Sequence, residues 1–547
     1  MSSKKHNILF IVPPVLTYED WRFPRNSVKC IQKGDGKFYG NLVTDMPLGV
    51  LSLSAYIKNY NKEVNTVRLI DFNVELNRIT SFDYTSFYDY YIDYFDNIEI
   101  DKISLVCLTV QFSPAYKSMI NIAKVIKKRI GCTVMAGGHI PTSMWERIFK
   151  DTQHIDYICY GEGEKPLLKY LNNQNEVIYN DAWITRDKLN DKSWKPKWDY
   201  LDDLDDIPLL DYEICEKNYD NNPAFLSHGN ILERSGIYHI FTSLGCPFKC
   251  IFCASHRVHG RKMRSYSIGR VKKDLSILRD KYGAKVIVIQ DDHFLYDKKR
   301  ALEIIRYIHK LKLTVHFQNS LSISSLNFEF LSSLVDAGVK QLVLPIESGS
   351  QRILKNVMKK PLKLESIKRV IGYCDKLNLY TYCSVLIGLP GETKDDIEES
   401  LIFLKKLRVN WFGVFIANPL VGSEMFDICL DNNYLSNDWI GSDFKRAVIN
   451  TPEYTADYIE EKAYLMNLDL NFVNNSDLLN GNYLIALKGF CRAISANKDH
   501  MFAYYYSSKC YEGLGDADNA KIFMERAKEC LVIDYWKRYF DFFGLKL

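Results

Sequence analysis

The 547-residue sequence lacks long hydrophobic runs and a dominant charge of either sign. Because a membrane-spanning helix needs a run of about 18 or more apolar residues, no membrane partner is expected. The chain has 71 basic and 67 acidic residues, which gives a formal net charge of +4. Such a balance gives no reason to expect nucleic acid as a partner through bulk charge.

The sequence also shows no secretion signal. The N-terminus, MSSKKHNILFIVPP, is basic and then apolar, but its apolar part is short and ends at Pro13–Pro14 without a small-residue cleavage site. We therefore interpret it as the first strand of a domain. Fourteen cysteines without such a signal indicate a reducing compartment, and we expect a cytoplasmic protein.

Four segments follow one another along the chain. Residues 1–170 alternate short apolar runs with helical stretches, which predicts an α/β, Rossmann-like doubly wound domain. Residues 171–235 are polar and turn-rich and read as a linker. Residues 236–430 contain six further strand–helix units, which predict a partial (β/α)6 barrel. Residues 431–547 are predicted to be all-helical.

The helical segment contains an internal repeat. Gly481–Asn482 recurs as Gly515–Asp516 and Ala486 recurs as Ala520, with an offset of 34 residues that is typical of tetratricopeptide repeats. About two such repeats are predicted, and a generic helical cap on the barrel stays open as the alternative.

Three cysteines cluster at the start of the predicted barrel. Cys246, Cys250 and Cys253 form a CxxxCxxC pattern on a Gly-Cys-Pro turn. Three thiolates on one loop hold three irons of a 4Fe–4S cluster and leave the fourth iron open. A zinc site with His256 or His259 as fourth ligand is the competing interpretation, and inert packed thiols are a third.

The triplet resembles that of the radical S-adenosylmethionine (SAM) superfamily. The resemblance implies that the open iron chelates SAM, whose reductive cleavage gives a 5′-deoxyadenosyl radical. It also implies that Phe252 packs near the SAM adenine. No catalytic residue beyond the cluster ligands is assigned.

Later segments match the same superfamily in barrel order. Asp291 lies in an acidic loop after the second strand, Glu347 and Ser348 end the fourth, and Gly388 and Pro390 lie in a GLPGE turn after the fifth. The resemblance implies contacts of these residues with SAM. For Asp291, capping of the next helix is an equally good interpretation.

The first segment resembles the cobalamin-binding domain that precedes one radical SAM subgroup. A Gly-Gly pair at a strand end admits close approach of a corrin or its nucleotide tail, although it is also a tight turn in any doubly wound fold. The contacts implied by the resemblance are at Pro13, Leu48, Thr109, Gln111, Gly137, Gly138, His139, Gly161, Glu162, Gly163 and Glu164.

One motif of that domain is missing. The DxHxxG sequence that gives cobalt a histidine is absent, and Pro13–Pro14 and a long loop, residues 15–45, occupy its place. The resemblance therefore implies cobalamin bound with neither its own base nor a histidine on cobalt. His139 is interpreted as a contact to the nucleotide tail.

Cobalamin beside a radical SAM cluster implies methyl transfer from SAM, through methylcobalamin, to an unactivated carbon or phosphorus of a small-molecule or peptide substrate. It also implies an electron donor such as flavodoxin or ferredoxin, and the helical repeats are a candidate surface for a protein partner. Non-methylating chemistry (cyclisation, ring rearrangement or oxygenation) stays open. An interaction protein with a degenerate enzyme core and an RNA modifier are further alternatives.

Overall fold

The computed structural model describes residues 5–24, 30–100, 102–174, 176–215, 236–437, 439–442 and 446–547. Residues 216–235 of the predicted linker lie outside this part of the chain. None of the fourteen cysteines, all of which lie in the described residues, forms a disulfide bond. None of the helices in the described residues has the length and apolar content that crossing a membrane requires.

Within the described residues the first domain has eight strands, of which six form one sheet with helices on both faces and two, the second and third along the chain, form a separate antiparallel pair. Its strands are β1 (His6–Val12), β2 (Cys30–Gln32), β3 (Phe38–Gly40), β4 (Val64–Asp71), β5 (Leu105–Thr109), β6 (Thr133–Gly137), β7 (Tyr157–Cys159) and β8 (Trp183–Ile184). Its helices are α1 (Tyr18–Arg22), α2 (Leu48–Tyr60), α3 (Phe72–Arg78), α4 (Phe87–Asp96), α5 (Tyr116–Arg129), α6 (His139–Asp151), α7 (Glu164–Asn172) and α8 (Glu176–Tyr179).

The sheet has the order β4-β1-β5-β6-β7-β8. All neighbouring strands are parallel except β8, which runs antiparallel to β7. In β1 the residues from Ile8 to Ile11 are all at most 1% exposed, as expected for a strand covered on both faces. The carboxyl ends of β1, β5, β6 and β7 therefore lie along one edge of the sheet.

The linker is shorter and more tightly packed than its composition suggests. The predicted boundary at residue 170 falls inside α7, because β8 extends the first sheet. Beyond β8, the linker residues Leu204 and Ile207 are buried in the core that both domains share. Asp211 accepts hydrogen bonds from Ser54 (2.5 Å) and Lys58 (2.6 Å) on α2.

The second domain confirms the partial barrel. Its strands are β9 (Ile237–Ile240), β10 (Ser243–Leu244), β11 (Arg264–Ser265), β12 (Val286–Ile289), β13 (Thr314–Phe317), β14 (Gln341–Glu347), β15 (Tyr380–Ile387) and β16 (Trp411–Ile416). Its helices are α9 (His256–His259), α10 (Ile268–Tyr282), α11 (Lys298–Lys310), α12 (Phe328–Asp336), α13 (Leu364–Lys376), α14 (Lys394–Leu404) and α15 (Glu424–Asp431).

Six of these strands form two parallel sheets, β13-β12-β9 and β14-β15-β16. The amide of Leu321 bridges them by donating to the carbonyl of Val343 (3.2 Å). The remaining two strands, β10 and β11, form a short antiparallel ribbon.

The C-terminal region is helical, with α16 (Ala456–Leu468), α17 (Ser476–Leu479), α18 (Tyr483–Ala496), α19 (Met501–Gly513), α20 (Ala517–Leu531) and α21 (Asp534–Phe542). Helices α18 and α20 begin at the offset of 34 residues seen in the sequence repeat. Each is preceded by a glycine with φ near 76°, Gly481 and Gly515.

This region also closes the open edge of the barrel. Asn471, in a π-helical turn after α16, accepts from the amide of Phe412 (2.7 Å) and donates to its carbonyl (2.8 Å) on β16. Trp411 packs against Phe472 and Phe490, with ring centroids 5.6 and 6.4 Å away. The helices therefore act as a cap, which was the alternative to a partner-binding repeat.

Candidate active site

The three cysteines lie on one loop at the carboxyl end of the first barrel strand. The loop leaves β10, carries Cys246, Cys250 and Cys253, and continues into α9. Each cysteine is partly exposed, and the amide of Cys253 donates to the carbonyl of Cys250 (3.2 Å). Burial raises the pKa of Cys246 to about 11 and also raises the pKa of Cys250, so binding a metal would displace their protons.

Asp291 fixes the beginning of this loop. Its buried carboxylate accepts hydrogen bonds from the Thr242 amide (2.6 Å), the Thr242 hydroxyl (2.5 Å) and the Ser243 hydroxyl (2.6 Å). Arg300 donates to the carbonyl of Thr242 (2.6 Å) beside it. Asp292 reaches only the amide of Gly245, at 3.3 Å. The structure thus shows Asp291 supporting the cysteine loop, and the predicted contact with SAM stays a prediction.

Ile251 holds the middle of the loop from two sides. Its amide donates to the carbonyl of Met358 (3.1 Å), and its carbonyl accepts from the amide of Met425 (2.9 Å). The side chain of Ile251 is 3% exposed. Residues between Cys250 and Cys253 are therefore fixed by segments that follow the fourth and sixth barrel strands.

The two metal interpretations of the triplet differ in how many metal ions the three thiolates contact. All ligands of a zinc site contact a single ion, whereas the three cysteines of an open 4Fe–4S cluster each bind a different iron. The donor set and its spacing therefore fit the cluster.

Glu347 has the unusual backbone of a functional position. Its φ is +64°, and the pairing of β14 with β15 shifts register between Pro345 and Glu347. Its carboxylate pairs with Lys360 Nζ (3.0 Å), which lies 5.9 Å from the ring centroid of Phe252. A non-glycine residue with this φ is held there by its surroundings. Glu347, Lys360 and Phe252 thus stand together beside the cysteines.

The other residues predicted to contact SAM are more deeply tied into the protein. The hydroxyl of Ser348 hydrogen-bonds Ser400 on α14 (2.9 Å). Gly388 has φ +88°, and its amide donates to the carboxylate of Glu392 (2.6 Å). Pro390 is buried in the same turn. Burial raises the pKa of Glu392 to about 8. Their contacts with SAM stay predictions.

At the edge of the first domain, the strand ends leave little side-chain bulk. Gly138 follows β6 with φ +94°, and a Cβ there would lie 3.0 Å from the Val110 carbonyl and 3.4 Å from the Thr109 hydroxyl. Thr109 pairs with Gly137 in the parallel ladder. This backbone cradle fits the close approach of a flat cofactor. The neighbouring predicted positions divide into exposed Gln111 and buried Pro13 and Leu48.

Other predicted cobalamin contacts use their polar atoms elsewhere. His139 Nε2 donates to the carbonyl of Val421 (2.8 Å), in the turn after β16. Glu162 pairs with Arg264 and His259 of the barrel domain, and Glu164 accepts from Ser52 on α2 (2.5 Å). Beside them, Gly161 packs against Trp198 and Gly163 against Leu53.

Three contacts show that the carboxyl ends of the strands in the first domain face the carboxyl ends of the barrel strands. Gln318 after β13 donates to Asp45 before α2 (2.8 Å), His139 after β6 meets the turn after β16, and Glu162 after β7 meets the segment after the cysteines. Ligands of open α/β sheets bind outside the carboxyl ends of the strands. Two such sites therefore share one space between the domains.

The comparisons with known proteins agree with this arrangement. Residues 240–404 match the model of the Radical SAM superfamily, and residues 44–171 match the model of the B12 binding domain. The chain therefore combines a B12 binding domain with a radical SAM domain that follows it. In this radical SAM enzyme the two matches coincide with the barrel and with most of the first sheet.

Two curated relatives of this radical SAM enzyme are methyltransferases by name. It is 29% identical over 433 residues to an uncharacterized methyltransferase of Pyrococcus horikoshii, covering 77% of this chain and 87% of the relative. It is 27% identical over 372 residues to the cytidylyl-2-hydroxyethylphosphonate methyltransferase of Streptomyces wedmorensis, covering 62% and 69%.

Two solved structures share the fold of this enzyme along nearly its whole length. The radical SAM methyltransferase TsrM of Kitasatospora setae, with cobalamin and a 4Fe–4S cluster bound, superposes with a TM-score of 0.57 at 15% identity over 96% of this chain and 99% of that one. The cobalamin-dependent enzyme OxsB gives 0.62 at 14% identity over 98% and 80%.

Several residues of the site have no motif that would have revealed them from sequence. Lys360 and Arg264 are ordinary basic residues in the sequence, and their roles come from partners far along the chain. Ile251 acts through its backbone, which no residue type encodes. His259 was considered only as a zinc ligand, whereas its ring bonds Glu162.

Proposed function

We propose that this enzyme moves a methyl group from SAM, by way of cobalamin, to an unactivated carbon or phosphorus of a small-molecule substrate. The observation that carries the proposal is the opposition of the two strand edges, one bearing the cysteine loop and one bearing the Gly137–Gly138 cradle. A substrate between them would meet both cofactors. The bound groups supply one-electron cleavage of SAM and a methyl carrier, and the protein supplies their placement.

The overall reaction balances with an external electron donor as its only added reductant, and it needs no oxidant. One substrate hydrogen is replaced by a methyl group. Two molecules of SAM and two electrons are consumed, and S-adenosylhomocysteine, 5′-deoxyadenosine and methionine are released. The hydrogen removed from the substrate leaves in 5′-deoxyadenosine. The products report on different steps, because only S-adenosylhomocysteine requires methyl transfer.

The residues of this chain have distinct tasks in that reaction. Cys246, Cys250 and Cys253 would hold the cluster. Glu347 and Lys360 form an ion pair with side chains 13% and 16% exposed, so that both signs of charge lie beside the loop where a zwitterionic ligand such as SAM would bind.

The matched relatives favour methylation over the alternatives. The phosphonate enzyme of S. wedmorensis and the bacteriochlorophyllide methyltransferase of Chlorobaculum tepidum, 24% identical over 367 residues, are both methyltransferases by name. An RNA modifier is disfavoured because the first domain matches a B12-binding model. Cyclisation, ring rearrangement and oxygenation would use the same cofactors and form the second candidate.

The wider setting of the reaction follows from its chemistry. A flavodoxin or ferredoxin is the proposed electron donor, and the cytoplasm is the proposed location because none of the fourteen cysteines forms a disulfide bond. A peptide is the alternative substrate. The C-terminal helices remain a proposed surface for a protein partner in addition to closing the barrel.

The test is a product analysis on anaerobically purified enzyme with bound iron and cobalamin measured first. Incubation with a reductant and methyl-labelled SAM is expected to give S-adenosylhomocysteine. Cys250→Ala is expected to abolish 5′-deoxyadenosine formation while leaving cobalamin bound, because the cluster loses one of its three ligands.

Cys491→Ala is the matched control, since that thiol is exposed on α18, and it should keep both products. Cobalamin that stays absent after reconstitution would exclude the methyltransferase. Formation of 5′-deoxyadenosine without S-adenosylhomocysteine would favour the non-methylating reactions.

A further inference from the structure

Glu162 joins the two domains through a buried ion pair. Its side chain is 7% exposed, and that of Arg264 is 2% exposed. The guanidinium donates from Nη1 to Oε2 (2.9 Å) and from Nη2 to Oε1 (2.5 Å). His259 Nδ1 donates to the same carboxylate (2.8 Å). A bidentate pair fixes direction as well as distance.

The partners of Glu162 flank the cysteine loop on both sides. Arg264 begins β11, where it lies opposite Leu244, two residues before Cys246. His259 ends α9, which starts three residues after Cys253. One carboxylate of the first domain thus binds the segment that follows the cluster ligands, and this segment pairs through β11 with the strand before them, while Asp291 and Ile251 hold the loop itself.

The linker completes the same junction. Arg264 also donates to the carbonyl of Leu201 (2.6 Å), and its guanidinium lies 4.3 Å from the ring centroid of Tyr200. Glu162 itself follows β7, next to the strand that ends in Gly137. Three parts of the chain therefore meet at one point between the two cofactor edges.

Two other hydrogen bonds across the interface do not join two charged side chains. His139 donates to a backbone carbonyl, and Gln318 is a neutral amide that donates to Asp45. Removing one member of a buried ion pair leaves an uncompensated charge, and this costs more than losing a neutral hydrogen bond. Of these three polar contacts, that of Glu162 is therefore the one whose loss costs the most free energy.

We propose that Glu162 is a positioning residue that sets the distance between the cobalamin edge and the cysteine loop. This inference rests on the proposed function. Methyl transfer from the SAM sulfonium to cobalt crosses the interface and leaves S-adenosylhomocysteine. Cleavage of SAM by one external electron would take place at the cysteine loop and give methionine and a 5′-deoxyadenosyl radical, which becomes 5′-deoxyadenosine by taking a hydrogen atom from the substrate. Glu162 should therefore control the first reaction and not the second.

The test compares Glu162→Ala and the milder Glu162→Gln with the full-length wild type, all with iron and cobalamin loaded. Glu162→Ala is expected to lower the rate of S-adenosylhomocysteine formation about tenfold or more, since a buried charge is left unpaired. 5′-Deoxyadenosine formation should change less than about twofold, because no SAM contact is removed. Glu162→Gln keeps the shape and one acceptor and should fall between.

A second readout needs no cofactor and no turnover. Hydrogen exchange of the cofactor-free chain is expected to accelerate in Glu162→Ala at residues 139–151 and 256–264, where α6 faces α9. Glu164→Gln is the control for exchange, because Glu164 bonds Ser52 within its own domain and should leave those two segments unchanged.

Three results decide the matter. Unchanged exchange and an unchanged product ratio in Glu162→Ala would overturn the proposal. An equal fall of both products together with lost iron would also overturn it, since Glu162 would then merely support the loop. If wild-type enzyme made no S-adenosylhomocysteine, the proposed function would fail, and the exchange measurement alone would still decide whether Glu162 holds the domains.

Discussion

The two facing edges of this enzyme are built in opposite ways. The cysteine loop is held by side-chain and backbone hydrogen bonds from several strands, with Asp291 and Ile251 as the main anchors. The edge of the first domain offers Gly137, Gly138 and exposed backbone. Its polar residues, such as His139, reach across to the other domain instead.

This contrast reflects the two ligands. Iron–thiolate bonds demand fixed sulfur positions, so the loop must be rigid before the cluster is inserted. A large planar cofactor demands space and close backbone approach, which is achieved by omitting side chains. At the edge of the first domain, substitutions that add bulk should therefore impair cofactor binding. At the cysteine loop, substitutions that remove a hydrogen-bonding anchor should do so.

The largest effect is expected from Asp291→Ala. The change removes the acceptor of three hydrogen bonds at 2.5–2.6 Å, so that the Thr242 amide and the Thr242 and Ser243 hydroxyls lose this buried acceptor. We expect a loss of about 3 kcal/mol in the stability of the loop. Iron content and 5′-deoxyadenosine formation should fall by at least about tenfold, while cobalamin stays bound.

Asp292→Ala is the neighbouring comparison for this variant. Asp292 accepts one long bond from Gly245, at 3.3 Å, so iron content should stay near that of the wild type. Equal iron loss in both variants would show that the loop does not depend on the Asp291 anchor.

A smaller and opposite effect is expected from Gly138→Val. The new side chain would meet the Val110 carbonyl at 3.0 Å, at a φ of +94°. We expect cobalamin affinity, measured by spectroscopic titration, to fall about tenfold to a hundredfold, because the loop after β6 must shift to relieve the clash with the Val110 backbone. The cluster should load normally.

Gly131→Ala carries similar backbone strain without crowding. Gly131 has φ +72°, and the nearest atom to an added Cβ there is 4.0 Å away. Cobalamin affinity should therefore be retained in this variant. Retention in Gly138→Val as well would mean that the cradle is not where the cofactor approaches.

The smallest effect is expected from pH, through His259. Burial opposes the charged imidazole, but the hydrogen bond and charge of Glu162 outweigh it and raise the pKa of His259, with Asp292 adding to the rise and Arg264 opposing it. His139 also faces this ring. A raised pKa means that the stabilisation is complete below the ordinary histidine value of 6.5 and is lost as pH rises through the raised value.

The acidic limit is set by Glu162. Burial opposes its charge, but hydrogen bonds from His259 and Arg264 outweigh it and lower its pKa. Its contribution is complete above the ordinary value of 4.5 and is lost as pH falls through the lowered value. Urea unfolding should therefore show that wild type exceeds His259→Asn by about 1 kcal/mol between pH 4.5 and 6.5, with the gap closing at alkaline pH. A gap independent of pH would contradict this.

The fold was largely predictable because its strands are continuous apolar runs and its helices are periodic. The six-strand barrel, the doubly wound first domain and the helical end were all confirmed. The predicted boundary at residue 170 falls before the end of the first sheet. The last strand, β8, is only two residues long and pairs antiparallel, and no local sequence pattern indicates such a strand.

Site residues were predictable where the chemistry requires a particular residue type. They were less predictable where a residue belongs to the site only because the fold brings it there. Cysteines reveal a cluster by their spacing alone. Glu162 and Asp291 were recognised as site residues from motifs, yet both bind partners roughly 50 to 100 positions away. Such partners are invisible in a single sequence, because tertiary structure alone brings them together.

The hydrogen bonds of Asn471 affect how readily this protein aggregates at high concentration. An exposed edge strand is a template on which a second molecule adds its own strand. By occupying both the amide and the carbonyl of Phe412, Asn471 makes that position of the β16 edge unavailable for such pairing. The C-terminal helices therefore protect the barrel from edge-to-edge aggregation, and a version of the enzyme trimmed to its two cofactor domains would lose that protection.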